Sequence, residues 1–175
     1  MLYRKAERSD ISEITKIYDN IHTAEENGKA TGGWVRGVYP VKSTAEDALA
    51  RDDLFVAEDN GSIVGTAIIN QIQPEAYRSG KWEHRVSDSE IMVLHTLVID
   101  PQYSGQGYGK GFVRFYEDYT LSEGCRYLRL DTQEKNQNAR VMYKKLGYTE
   151  RGVVPCEFNG IQDVRLVLLE KEAAV

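Results

Sequence analysis

The segment VIDPQYSGQGYGKGF, residues 98–112, constrains this chain more than any other stretch. An apolar run stops at Asp100-Pro101, glycines stand at 105, 107, 109 and 111, and a helical pattern follows. Proline ends the strand because it has no N–H to give to a ladder. Alternating glycines let the backbone curve with its N–H groups turned inward, and a helix start adds about half a positive charge. Strand, glycine loop and helix N-terminus in that order make an anion site suited to phosphates. A tight strand-to-helix turn would account for one glycine, not for four. Two nucleotide motifs fail here. G-x-G-x-x-G started at Gly105 needs glycine where Lys110 stands, and started at Gly107 needs it at Phe112. In G-x-x-x-x-G-K-[ST] the first glycine falls on Ser104, and Gly111 replaces the hydroxyl that would hold magnesium.

The periodicity around this segment predicts a strand over residues 2–6. Ser9 or Asp10 then caps a helix whose Ile11, Ile14, Ile17, Tyr18 and Ile21 recur at helical spacing, with Gly28 closing it. Residues 29–42 form a glycine-rich loop carrying Trp34, Tyr39 and Pro40, and Ser43 or Thr44 caps a short second helix. Strands over 54–58 and 63–72 flank the hairpin signal Asn60-Gly61. Residues 73–89 show no period, which predicts a partial element or a functional loop. A strand over 90–99, a helix to Ser122, a strand over 127–132 and a helix over 136–146 follow, then strands over 148–155 and 164–170 around Asn159-Gly160. The order βα-αβββαβαββ describes one mixed α/β domain over residues 1–175.

Composition excludes several classes. With 41% hydrophobic and 28% charged residues over 175 positions, the chain suits a globular domain with a real core. A net charge of -5 leaves no footprint for a phosphate backbone, so no nucleic acid partner is expected. Met1–Lys5 has no apolar signal core and charges interrupt every apolar run well short of about 18 residues, so no membrane partner is expected either. Cys125 and Cys156 stand outside metal-ligand spacing, which points to a reducing cytoplasm and no metal.

Strand, Asp100-Pro101, Gly-x-Gly loop, helix and strand, followed by NQNARVMYKKLGY, resembles the GNAT superfamily of N-acetyltransferases. Asn136, Ala139, Met142, Tyr143, Gly147 and Tyr148 stand at that family's spacing, and the motifs cover about residues 90–150. The resemblance implies a mostly antiparallel central sheet of about seven strands, flanked by about four helices, with splayed central strands. It implies acetyl-CoA as acyl donor and a small-molecule or peptide amine as acceptor, attacked directly. The backbone of Leu97, Val98 and Ile99 would pair with the pantetheine arm. The amides of Ser104, Gly105, Gln106, Gly107, Tyr108, Gly109 and Lys110 would hold the pyrophosphate, with Asn136 beside the pantetheine. Two positions depart from the family. Ser104 replaces its usual Gln or Arg, and Val93 replaces the Glu that many members use as base.

Tyr143 is the expected general acid, donating to the thiolate that leaves, though its helical stripe with Ala139, Met142 and Leu146 also suits a core residue. For the base, His95 shares a face with Val93 by alternation unless a bulge intervenes, Glu90 is a second candidate, and a water chain a third. His22 and His84 are expected to be solvated. Trp34, Arg36, Tyr39, Tyr77 and Trp82 sit in predicted loops, and Trp34, Tyr39 and Trp82 are the candidate acceptor-binding residues. The apolar last strand, Val164 to Leu169, could pair across a homodimer. A non-catalytic coenzyme A sensor, and an unrelated domain holding another phosphate ligand, are the competing readings.

Overall fold

A computed structural model of the chain describes residues 1–174. Seven strands form one sheet: β1 (Leu2–Lys5), β2 (Leu54–Asp59), β3 (Ser62–Asn70), β4 (Ile91–Ile99), β5 (Tyr127–Gln133), β6 (Thr149–Phe158) and β7 (Ile161–Glu172). Their order is β1-β2-β3-β4-β5-β7-β6, and only β4 and β5 run parallel. Four α-helices cover its faces: α1 (Ile11–Glu26), α2 (Lys42–Ala50), α3 (Tyr108–Ser122) and α4 (Gln137–Lys145). This is the mixed, mostly antiparallel sheet of seven strands with four helices that the family resemblance implied. Among the described residues no helix is long and apolar enough to cross a membrane.

Helices on both faces explain why the central strands read as unbroken apolar runs. In β2, Phe55 and Ala57 meet Phe112, Val113 and Tyr116 of α3, while Leu54 and Val56 meet Ile14, Ile17 and Tyr18 of α1. Burial of such side chains stabilises the fold by about 1.5–3 kcal/mol each. A third apolar cluster, Tyr77, Ile91, Val93, Val164, Leu166 and Leu168, lies under residues 71–90.

That 71–90 segment crosses the sheet as a strap with two short 3-10 turns, Glu75–Ser79 and Asp88–Glu90. Much of its anchoring is polar. The Arg129 guanidinium, 5% exposed, donates to Gln73 Oε1 (2.5 Å) and to the His84 carbonyl (2.8 Å), lies 4.0 Å from the Trp82 ring centre and faces Glu170 at 3.7 Å. Glu170, 2% exposed, accepts from the amides of Glu83 and His84.

Several local expectations need correction. Asp10 precedes α1 but does not cap it; its carboxylate instead accepts from the Glu7 amide (2.7 Å) and from Arg4 (2.7 Å). α2 starts at Lys42, and Thr44 works from inside its first turn, accepting from the Val41 amide at 3.0 Å. His22 is buried rather than solvated, with Nε2 2.7 Å from the Pro40 carbonyl. β7 is paired by β5 on one side and β6 on the other, so it offers no free edge for the homodimer pairing expected of Val164–Leu169.

Candidate active site

The site begins where two parallel strands part. β4 and β5 pair only from Ile91↔Tyr127 to Leu94↔Leu130. Beyond Leu94, β4 takes in one extra residue relative to β3: His95 opposes Ile68, but Val98 opposes Thr66. Thr96 sits at this bulge with φ +48°, a strained setting for a β-branched residue. The bulge follows His95, so His95 keeps the face of Val93, while Leu97 and Ile99 turn toward α3. β4 thereby loses its β5 partner, and a cleft of about 840 Å³ opens between the strands. That volume suits an organic ligand of substantial size.

One end of the cleft is the glycine loop. Ser104, Gly105, Gly107, Tyr108, Gly109 and Lys110 line it. Gly105 and Gly107 have φ of +77° and +85°, and a Cβ on either would meet no other atom. They are glycine for backbone conformation, which turns the chain into the N-terminus of α3. Gly111 is glycine for another reason: a Cβ there would stand 2.1 Å from the Tyr3 hydroxyl. Gly105 and Gly107 are thus set by backbone conformation, and Gly111 by packing. Gln106 and the Val98 side chain do not line the cleft; Val98 is buried against α1 and α2.

Tyr143 and Asn136 line the cleft, as do Leu97 and Ile99. Asn136 caps α4, its Oδ1 accepting from the Ala139 amide at 3.4 Å and its Nδ2 donating to Thr132 at 3.2 Å. Tyr143 is 6% exposed, and burial together with the Asp131 charge holds its phenol well above the ordinary value.

Asp131, absent from the sequence-based candidates, is the one acidic residue lining the cleft. It stands on β5 at the first position past the β4–β5 pairing. Tyr77 on the strap donates to its Oδ2 at 2.7 Å. Burial pushes the Asp131 carboxyl up to about 6, against the Tyr77 hydrogen bond that lowers it. The Asp131 charge also raises the phenols of Tyr39, Tyr77 and Tyr143, of which Tyr77 alone hydrogen-bonds it among the described residues. A carboxylate inside the strand segment YLRLDTQ, five residues before Asn136, was the available signal.

His95 also lines the cleft, its Nε2 2.8 Å from Asn70 Oδ1. Burial lowers it to about 4, so it is neutral at physiological pH. Glu90 is displaced from the site. It is exposed at the far end of β4, where its carboxylate accepts from the Ser87 amide at 3.3 Å. Trp82 is displaced too, because it packs under the strap with Nε1 donating to the Tyr77 carbonyl (2.7 Å). Trp34 and Tyr39 do line the cleft, their rings 5.7 Å apart. Their loop ties both splayed strands, through Tyr39 Oη to Thr96 Oγ1 (2.5 Å) on β4 and Gln133 Nε2 to the Gly33 carbonyl (3.3 Å) on β5. Arg36 lies outside, held by Asp19 and Glu26.

Residues 14–148 match the model of the acetyltransferase (GNAT) family. The chain belongs to that family. A glucosamine 6-phosphate N-acetyltransferase of Trypanosoma brucei brucei is 33% identical over 95 residues, 54% of this chain and 56% of that one. The chain spans about half the length of the curated relatives it matches. A GNAT-family acetyltransferase structure from Streptococcus agalactiae has the same fold, with a TM-score of 0.80 at 24% identity over 99% of this chain and 96% of that one. The Salmonella typhimurium protein yncA, solved with its cofactor acetyl-CoA, gives a TM-score of 0.69 at 17% identity over 100% of this chain and 95% of that one.

Proposed function

We propose that the chain is a single-domain, acetyl-CoA-dependent N-acetyltransferase in which Asp131 is the general base and Tyr143 the general acid. The observation that carries this reading is Asp131 itself, placed where β4 and β5 part and lining the same cleft as the glycine loop, Trp34 and Tyr39. Acetyl-CoA would supply an activated acetyl thioester. The unpaired edge of β4 past Leu94 suits a pantetheine arm, because strand N–H and C=O groups seek partners. The turn at Gly105 and Gly107 suits a pyrophosphate, since N–H groups at a helix start attract anions.

An ammonium has no lone pair with which to attack, so a base must first take a proton. Asp131, at about 6, is ionised at pH 7 and lies near the operating range favoured for general catalysis. Neutral His95, at about 4, is the weaker base by that measure and serves as a polar wall. The amine nitrogen then forms its bond to the carbonyl carbon, and the carbon–sulfur bond breaks. Tyr143 donates its proton to the departing thiolate and recovers one from the second proton that the acylated nitrogen releases; its raised value keeps it protonated until the thiolate forms.

Thiol release from acetyl-CoA in the presence of a varied amine panel tests the reading. Wild type should turn over at least one amine. Tyr143→Phe should lower kcat about 10- to 100-fold, and Asp131→Asn should lower kcat/KM about 100-fold or more. Undiminished turnover in both variants would reduce the pair to packing. Acetyl-CoA binding without turnover of any amine would support the second reading, a coenzyme A sensor.

A further inference from the structure

The cleft lining also carries a guanidinium outside the glycine loop. Arg51, just past α2, lines the cleft and is about half exposed. Its Nε and Nη2 donate to the two oxygens of Asp53, at 2.9 and 3.3 Å. Asp53 is 7% exposed and also accepts from Asn70 Nδ2 at 2.8 Å, while Asn70 Oδ1 holds His95. The guanidinium is therefore fixed side-on by a buried anchor. That leaves its outer edge, Nη1, with no hydrogen-bond partner among the described residues.

The charges along the cleft are few. Lys110 of the glycine loop, Arg51 past α2 and Asp131 on β5 line it, and Asp131 is the one carboxylate side chain among the described residues of the lining. The Arg51 and Asp131 charges pull the Tyr39 hydroxyl in opposite directions, Asp131 raising it and Arg51 lowering it. Arg51 also bears on His95. An amine directed at Asp131 shares the cleft with this cation, which repels a second ammonium and attracts an anion.

We propose that Arg51 binds an anionic group of the acceptor, so the acceptor is a small amine bearing a carboxylate or phosphate. This rests on the acyl-transfer reading and narrows it. The amine faces Asp131 and the anion takes the free edge of Arg51, a charge-assisted hydrogen bond that fixes which nitrogen meets the thioester. Linear diamines, lacking the anion, are poor acceptors under this assignment.

Matched acceptors test it: amino acids against their amides and decarboxylated amines, and amino sugars against their phosphate esters, each assayed by thiol release. Wild type should favour the anion-bearing member at least about 10-fold in kcat/KM. The two series distinguish a carboxylate from a phosphate. Arg51→Met should erase the preference by lowering the anion-bearing member about 10- to 100-fold, with the neutral member changed less than about two-fold. Its calorimetric affinity for acetyl-CoA should match wild type. Arg51→Lys, which keeps the charge without the fork, should retain part of the preference and covers the case in which Arg51→Met fails to fold. Equal or reversed preference in wild type overturns the proposal, as does a uniform loss on both members in Arg51→Met. Turnover of no pair with acetyl-CoA binding intact also overturns it. Absence of acetyl-CoA affinity overturns the acyl-transfer reading instead.

Discussion

Asp131 carries a conflict between stability and function that its surroundings set. Burial raises it from 3.8 to about 6, so the folded state holds more protons than the unfolded state across that window. Stability therefore falls as pH rises through it. Asp131→Asn removes the charge and leaves an acceptor for Tyr77. Denaturant titrations should show the variant more stable than wild type at pH 8 by about 1–3 kcal/mol, with no gain near pH 3.5. A variant less stable at pH 8 would mean the carboxylate is well solvated. The Tyr77 hydroxyl works in the opposite direction from burial, favouring the ionised form through its 2.7 Å hydrogen bond. Tyr77→Phe should move the acidic limb of the kcat/KM–pH profile, near pH 6 in wild type, to higher pH. An unmoved limb would detach that titration from Asp131.

At the scale of elements, the glycine loop and the bulged strand β4 differ in how visibly they were written. Proline, alternating glycines and the Asn136 motif announce a loop and a helix because each residue type is dictated by backbone geometry or capping. The bulge at Thr96 has no such mark: its sequence, VLHTLVI, reads as an ordinary buried strand. The strain there is carried by the fold, through Tyr39 and the loss of β5 pairing, so parity past His95 was not legible. Asp131 went unnoticed for a related reason, since a strand carboxylate gains meaning only once the neighbouring strand departs. Glu90 and Trp82 were named for their position in sequence, and the strap takes both away from the cleft. The two kinds of glycine separate by substitution. Gly107→Ala should weaken acetyl-CoA binding and cost about 1–2 kcal/mol of stability, because φ is +85° there. Gly111→Ala should lower the melting temperature while leaving affinity near wild type, its clash being with Tyr3. Equal loss of affinity in both would contradict the division.

Across the whole molecule, a sheet with helices on both faces is opened at one seam and held at that opening by loops from either side. The loop bearing Trp34 and Tyr39 ties the splayed strands to each other, and the strap delivers Tyr77 to Asp131. The strap has no hydrophobic period to betray it because buried charge anchors much of it. Arg129→Met would leave Gln73 and the His84 carbonyl without their donor. Arg151 still faces Glu170 at 3.2 Å, so the loss should sit near the low end for a broken buried pair, about 3 kcal/mol in denaturant unfolding. A loss under about 1 kcal/mol would show that apolar contacts of Tyr77 and Trp82 suffice. The central claim is that the seam takes a pantetheine arm and the glycine loop its pyrophosphate. Calorimetric titration with acetyl-CoA, beside desulfo-coenzyme A and ADP, measures this most directly. Micromolar affinity for both pantetheine-bearing ligands, and at least about 10-fold weaker binding of ADP, is the expected result. No heat of binding at millimolar acetyl-CoA would contradict the account.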